Sequence, residues 1–230
     1  MNRFKIVLLT MVLGTMILLP NLWRGNTYSK IKTVKIILPQ PRYDSKVSVE
    51  EALSNRRSIR SYTDKPVTLK ELSQLLWAAQ GKTEELGGRT APSAGAKYPL
   101  EIFAVVGDVK ELNPGIYRYD PADHSLEGFK RGDLREKLTK AAIGQPCIKN
   151  APVDIVVTGV YSRTEEKYGE RAPRYVHMEA GHACQNIYLQ AEALDLGTVV
   201  IGSFHDEDVA KLLNLKEEKP LAIMPVGKKK

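Results

Sequence analysis

The spacing of apolar residues predicts two helices near the start of the domain. A capping box formed by Ser48 and Glu51 predicts a short helix through Ser54. A second capping box, Thr68 with Glu71, begins a longer helix that Gly81 ends. The apolar positions of this longer helix repeat with helical spacing and predict one buried face; they are Leu69, Leu72, Leu76 and Ala79.

Further along the chain, predicted helices and strands are mixed. The apolar run from Val153 to Val160 does not alternate with polar residues, which predicts a strand covered on both faces. A long helix is expected from His177 to Asp195, with a buried stripe formed by Ala180, Cys184, Ile187, Ala191 and Leu194. The other expected strands are 101–106, 115–120, 198–201 and 221–226, and the other expected helices are 133–142 and 206–213. This mixture, without an internal repeat, predicts one domain that combines helices with a sheet.

A separate apolar run extends from Phe4 to Pro20 at the start of the chain. Basic residues precede it, as in a signal peptide or a membrane anchor. No small-residue cleavage site follows, which favours an uncleaved anchor over residues 1–25. Residues 26–47 are expected to be a linker, and residues 48–230 the folded domain. Basic residues flank the run on both sides, so the charge pattern leaves open which side of the membrane the domain faces.

The basic character of the chain limits its partners. The formal net charge is +7 and the isoelectric point is about 9.3, which suits nucleic acid, a membrane surface or an anionic ligand. Basic residues are not interleaved with aromatic residues, so we expect no nucleic-acid partner. Cys147 and Cys184 are far apart and match no metal or redox spacing. His177 and His182 would lie on different sides of a helix, so no metal site is expected.

Three arginines, Arg56, Arg57 and Arg60, occur with Ser58 where the first predicted helix ends. Guanidinium groups donate paired hydrogen bonds, and a nearby hydroxyl adds another donor. This combination suits a phosphate monoester. The alternative is a solvated basic surface.

The segment from Arg89 to Glu101, RTAPSAGAKYPLE, is a loop of small residues that leads into a strand. Ser93 and Gly95 would let a flat ligand lie against the backbone. Lys97 and Tyr98 follow at the exit, where they could donate hydrogen bonds or protons. The alternative is an ordinary turn before a strand.

Several common catalytic motifs are incomplete or absent in the sequence. Gly81 to Thr83 resemble the end of a P-loop, but Leu76 stands where that motif requires glycine. No G-x-G-x-x-G follows a predicted strand, and no G-x-S-x-G is present. A Walker nucleotide site, a Rossmann dinucleotide site and a serine hydrolase are therefore unsupported.

Five segments taken together resemble the nitroreductase superfamily, and within it the SagB-type dehydrogenases, which include azoline oxidases. They are RRSIRSY at Arg56, TLKELSQLLWAAQG at Thr68, RTAPSAGAKYPLE at Arg89, EAGHACQNIYLQAEALDLGTVVIGSF at Glu179 and PVGKK at Pro225. The resemblance implies an α+β fold with a mostly antiparallel sheet flanked by helices. It also implies a homodimer with FMN at the subunit interface, where the helix that contains Gly181 and Ala183 packs across the dimer.

The resemblance also implies roles for individual residues. The FMN phosphate would be held by Arg56, Arg57, Ser58, Arg60, Lys228 and Lys229. The flavin ring would be lined by Ser93, Ala94 and Gly95, and a backbone N–H of the segment with Ile201 and Gly202 would reach its edge. Lys97 and Tyr98 match an adjacent pair that is the candidate catalytic couple of azoline oxidases.

These roles imply an FMN-dependent oxidoreductase that transfers hydride to or from flavin N5. Loss of hydride from a substrate leaves a proton, and partial burial makes a lysine such as Lys97 a better base for it. The alternative is that Lys97 pairs with a flavin oxygen or with the phosphate. One expected substrate is an azoline in a modified peptide, and another is a small nitroaromatic or quinone reduced by NAD(P)H. A membrane-tethered flavin module without turnover is a further hypothesis.

Overall fold

The computed structural model describes residues 34–84 and 87–230. The strands are Val34–Ile37 (β1), Val67–Thr68 (β2), Leu100–Val106 (β3), Val109–Lys110 (β4), Gly115–Asp120 (β5), Ser125–Arg131 (β6), Val153–Gly159 (β7), Leu196–Thr198 (β8) and Lys219–Lys228 (β9). The helices are Val49–Asn55 (α1), Leu69–Gln80 (α2), Arg135–Ala141 (α3), Pro146–Asn150 (α4), Tyr161–Tyr168 (α5), Ala172–Ala193 (α6) and Asp206–Leu213 (α7).

The core of the fold is a seven-stranded sheet in the order β1-β6-β5-β3-β7-β9-β8. Its strand pairs are antiparallel, and β2 pairs with β4 in a small parallel ladder. Helices cover both faces of the large sheet. This confirms the expected α+β fold with a mostly antiparallel sheet flanked by helices.

Strand β7 lies between β3 and β9 and is buried at every residue. Its side chains alternate between two apolar layers. Ile155 and Val157 pack with α2 and α6, and Val156 packs on the other face with α3, α4 and α7. The prediction of a strand covered on both faces is therefore confirmed.

Capping side chains determine where the first two helices begin. Ser48 Oγ accepts the backbone N–H of Glu51 at 3.0 Å. Thr68 and Glu71 form the reciprocal capping box, and the four predicted apolar residues of α2 are buried. Helix α2 ends at Gly81, where the backbone becomes extended. The position requires glycine because a Cβ there would lie 2.1 Å from the Trp77 ring.

Two predicted boundaries near the long helix are wrong. Helix α6 begins at Ala172 rather than His177. Its first turn contains Pro173 and Arg174, which interrupt the apolar spacing that indicates a helix, although Ala172 and Val176 are buried. The strand expected at 198–201 is Leu196–Thr198, after which Ile201 forms only an isolated bridge with Ile223. The stripe of α6 is buried as expected at Ala180, Cys184, Ile187 and Ala191.

The expected linker over residues 26–47 is wrong in its second half. Residues 34–37 form β1, which pairs with β6, and Leu38 is buried. The folded domain therefore includes residues from Val34 onward. The sequence does not predict strand β6, because its glycine and charged residues interrupt the alternation of apolar and polar residues that indicates a strand.

The predicted anchor over residues 1–25 lies outside the described residues. Within residues 34–84 and 87–230, no helix combines the length and the apolar character that a membrane span requires.

The structure also contains a buried carboxyl in the central strand. Both oxygens of Asp154 are buried and have no hydrogen-bond partner in the described part of the chain. Burial raises the pKa of Asp154 well above its ordinary value, although the charge of Arg135 opposes the shift. Burial therefore disfavours the charged form of Asp154 in the folded protein, and each unit of upward pKa shift costs about 1.4 kcal/mol of stability at pH values above that pKa.

We expect Asp154→Asn to raise the free energy of unfolding at pH 7. The gain should disappear as the pH falls below about 4, where the carboxyl of the unfolded chain is also protonated. Urea unfolding at several pH values measures this. Asp133→Asn is the matched control and should lower the free energy of unfolding at pH 7. The reason is that the hydrogen bond from Arg135 lowers the pKa of Asp133 and so stabilises its charged form in the folded protein. A destabilised Asp154→Asn variant at pH 7 would contradict the prediction.

Candidate functional site

One side of α6 lines an elongated cavity of about 640 Å³. The residues that α6 contributes are spaced by three or four positions and form one stripe: His177, Gly181, Cys184 and Tyr188. The opposite wall comes from the segment after β8, with Val200, Gly202 and Phe204, and from the first residues of β9. The cavity therefore lies between the long helix and one end of the sheet.

Tyr188 connects three parts of the chain at one end of this cavity. Its hydroxyl accepts the backbone N–H of Val200 at 2.8 Å and lies 3.1 Å from Ser58 Oγ. The guanidinium carbon of Arg56 lies 5.0 Å from the centre of the Tyr188 ring, within the range of a cation–π contact. Tyr188 thus brings Arg56, Ser58 and the segment with Val200 together at this end of the cavity.

The segment after α1 is extended and is held against the sheet. Ile59 N–H donates to Thr198 O, and Thr63 N–H donates to Lys228 O, both at 2.9 Å. Ile59 fits against Gly197, where a Cβ would lie 2.6 Å from its side chain. These contacts position Ser58 toward α6.

The other two arginines differ from Arg56. Arg57 Nη1 donates to the carbonyls of Ser54 and Arg56, at 2.9 and 2.8 Å, and so satisfies the end of α1. Arg60 is exposed to solvent. The structure therefore places Arg57 at the helix end rather than beside Tyr188.

Lys228 and Lys229, predicted as phosphate ligands, both pair with carboxylates. Lys229 Nζ lies 2.8 Å from Glu192, one turn beyond Tyr188 on the same side of α6. Lys228 Nζ lies 2.5 Å from Glu71 of α2. Burial alone would raise the pKa of Glu71, but hydrogen bonds from Lys228 and Thr68 lower it. Only Lys229 is thus close to the Tyr188 end of the cavity.

Ile201 and Gly202, the two predicted residues after β8, differ in whether a ligand can reach their backbone. Ile201 N–H donates to Ile223 O at 2.9 Å, so it cannot also donate to a ligand in this conformation. Gly202 lines the cavity, and a Cβ there would meet no described atom within 4 Å. Of the two predicted residues, Gly202 is the one that a ligand can approach.

The loop with Ser93, Ala94 and Gly95 is held by its own contacts. Ser93 Oγ accepts Tyr98 N–H at 2.8 Å, and Ala94 N–H donates to Glu179 Oε1 at 2.9 Å. Gly95, Ala96 and Tyr98 all have positive φ angles. Such angles cost a non-glycine residue about 1–2 kcal/mol, so the loop contacts must compensate for this strain.

Glu179, to which the sequence analysis assigns no role of its own, supports this loop. It is buried, and its Oε2 has no hydrogen-bond partner among the described residues. Burial raises its pKa, and the hydrogen bond from Ala94 opposes that shift.

Lys97 and Tyr98 lie outside the α6 cavity. Lys97 Nζ is 2.6 Å from Glu166 Oε2, and this hydrogen bond lowers the pKa of Glu166. The ring of Tyr98 is covered by the Arg89 guanidinium at 4.4 Å. In this arrangement Lys97 is a paired ammonium and not a free base.

The two groups of predicted residues contact α6 on opposite sides. Glu179, which holds the loop with Ala94, is nine residues from Tyr188. Nine residues correspond to about 13.5 Å of rise and to half a revolution. One chain therefore does not bring the loop next to the Arg56–Ser58 group. Ala183, expected at a dimer contact, lies in the chain's own core, whereas Gly181 faces open space.

The sequence reading missed three cavity residues: Tyr161, His177 as a cavity group, and Tyr188. The only available signal was the helical spacing of His177, Gly181, Cys184 and Tyr188. That spacing places Tyr188 beside Cys184, yet it does not reveal the second wall, which comes from distant parts of the chain.

The cavity fits the FMN that the resemblance implies. Tyr188 lines one end of it, and the Arg56 guanidinium and the Ser58 hydroxyl both contact Tyr188. Gly181 and Gly202 leave open space along its walls, because a Cβ on either would meet no described atom within 4 Å.

Known proteins support a family assignment. Residues 53–228 match the model of the Nitroreductase family. A putative nitroreductase of Methanocaldococcus jannaschii is 45% identical over 197 residues, which are 86% of this chain and 98% of the relative. The microcin B17-processing protein of Escherichia coli is 28% identical over 134 residues, 56% of this chain and 49% of the relative.

A solved structure agrees with this assignment. The crystal structure of a putative nitroreductase from Ralstonia eutropha superimposes with a TM-score of 0.75 at 32% identity, covering 85% of this chain and 90% of that chain. The protein therefore belongs to the nitroreductase family and is an oxidoreductase.

Proposed function

We propose that the protein is an FMN-dependent oxidoreductase whose cofactor occupies the cavity along α6. The observation that carries the proposal is the contact of Arg56, Ser58 and Val200 with Tyr188 at one end of that cavity. When bound, FMN would supply the capacity to accept or donate a hydride. The protein would supply binding, orientation and protons.

The phosphate would bind where Arg56 and Ser58 meet. A guanidinium and a hydroxyl both donate to phosphate oxygens, and Tyr188 keeps both groups on the same side of α6. Lys229, one turn further along, is neutralised by Glu192. We therefore assign the main phosphate contact to Arg56, with Lys229 as a weaker contributor.

At a finer level we propose a SagB-type dehydrogenase that acts as a homodimer. The adjacent Lys97 and Tyr98 support it, as does the similarity to a protein named for microcin processing. A modified peptide is accordingly the proposed substrate.

The homodimer is proposed because one chain leaves the two groups of site residues on opposite sides of α6. The surface between them carries exposed Met178, and α1 beside it presents exposed Val49 and Leu53. Exposed apolar side chains on one face are typical of an interface. A second copy packed there would bring its own loop toward the cavity of the first.

A second candidate is an NAD(P)H-dependent nitro or quinone reductase. The ion pair of Lys97 with Glu166 favours it, because that contact occupies the ammonium group that a base would have to present to the substrate. The relative that is 45% identical is named as a putative nitroreductase.

An absorption spectrum of the purified full-length protein tests the proposal. We expect a visible flavin band after incubation with FMN. Anaerobic addition of NADH or NADPH then separates the two candidates: bleaching indicates a reductase, and a flavin that neither nucleotide reduces indicates a substrate-driven dehydrogenase. A folded protein that takes up no FMN would refute both.

We expect Arg56→Ala to weaken FMN binding by about tenfold to a hundredfold, the range for losing a hydrogen bond to a charged group. Riboflavin, which lacks the phosphate, should bind both proteins equally. Fluorescence titration measures both affinities. Arg57→Ala is the matched control, since Arg57 donates to the end of α1; an equal loss in both variants would contradict the placement of the phosphate.

Lys97→Met tests the dehydrogenase directly. If Lys97 acts as the base, the variant should retain FMN and lose substrate-driven flavin reduction by about a hundredfold or more. Stopped-flow absorbance of the flavin measures that rate, with exposed Lys140→Met as the control. Unchanged reduction would remove Lys97 from the mechanism and leave the reductase as the better candidate.

A further inference from the structure

A second hydrogen-bonded pair lines the same cavity and has no role in the function proposed so far. Tyr161 Oη lies 2.6 Å from His177 Nε2, and the two rings meet edge to face with centres 5.8 Å apart. Tyr161 is the first residue of α5, and His177 lies in the second turn of α6. Both side chains line the cavity with Gly202.

The pair lies at the opposite end of the cavity from the proposed phosphate site. His177 and Tyr188 are eleven residues apart on α6, which corresponds to about 16.5 Å of rise on nearly the same side of the helix. Gly181 lies between them and leaves the wall open. A ligand with its phosphate near Arg56 would therefore extend toward Tyr161.

The surroundings of the pair suit proton transfer. Burial, with a contribution from the charge of Asp206, raises the pKa of Tyr161 above its ordinary value, so its hydroxyl carries a proton at neutral pH. His177 is exposed to solvent. The other titratable side chains that line the cavity are Cys184, Tyr188, Asp206 and Lys219. Burial raises the pKa of Cys184 to about 12, so its thiol does not compete as a base.

We propose that Tyr161 is a catalytic residue that exchanges the proton of the flavin reaction with the substrate, and that His177 positions Tyr161 and passes the proton to solvent. This inference rests on the proposed FMN-dependent function, and it adds residues that lie in the cavity of a single chain. Lys97 and Tyr98 do not line that cavity.

Reduction of a quinone illustrates the balance of the reaction. Reduction to a hydroquinone needs a hydride, which carries both electrons and which bound FMN would supply, and one proton, which Tyr161 Oη would donate. Tyr161 would regain a proton from His177, which would take one from solvent. In substrate oxidation the hydride would go to FMN, Tyr161 would accept the remaining proton, and its own proton would pass to His177 Nε2.

The test uses full-length protein loaded with FMN, reduced with dithionite and mixed anaerobically with menadione. We expect Tyr161→Phe to slow flavin reoxidation by about a hundredfold without loss of bound FMN. His177→Gln should lower kcat at unchanged KM and alter the pH profile. Tyr175→Phe and His182→Gln are matched controls on α6 outside the cavity and should behave as the wild type.

A binding measurement tests the placement without turnover. The ring resonances of His177 should shift when FMN is added to the apoprotein, whereas those of exposed His182 should not. No shift at His177, or a wild-type reoxidation rate in both Tyr161→Phe and His177→Gln with FMN bound, would overturn the inference and leave the proposed function intact. A wild-type protein that binds no FMN would instead refute the proposed function.

Discussion

The burial of β7 on both faces is the constraint on which the rest of the structure depends. An apolar strand with no polar side must be covered by two layers, since exposed apolar surface costs about 25 cal/mol per Å². Helices α2 and α6 supply one layer, and α3, α4 and α7 supply the other. The position of every candidate site residue follows from how these layers meet the sheet.

Helix α6 contributes both to the core and to the candidate site. One stripe of its side chains is buried against the sheet. A neighbouring stripe, from His177 to Tyr188, lines the cavity. Glu179, on the opposite side, holds the strained loop with Ala94 through a buried hydrogen bond. The same helix therefore separates two groups of polar residues that the family resemblance assigns to one cofactor, which is a physical reason to expect a second copy of the chain.

Several basic side chains of this protein form ion pairs with carboxylates and are therefore occupied. Glu101 accepts from Arg118 and Arg163, Glu71 from Lys228, and Glu166 from Lys97. The net charge of +7 therefore does not show which cations remain available to a ligand. Arg56 stands apart, because its described contact is with the ring of Tyr188 and leaves its donors available.

Local sequence determined the elements whose signals are local. Capping side chains established the starts of α1 and α2, because the first N–H groups of a helix need nearby acceptors. Mostly apolar runs without polar alternation established β3 and β7, because such runs need cover on both faces. Strands β1 and β6 and helix α5 lack such signals, since their stability comes from partners distant in the chain. The motifs likewise identified Arg56, Ser58 and Gly202 as candidates. Only the tertiary structure decided that Lys97 and Lys228 are neutralised, that Ile201 uses its N–H in the sheet, and that Tyr161 meets His177, because each depends on contacts between residues far apart in sequence.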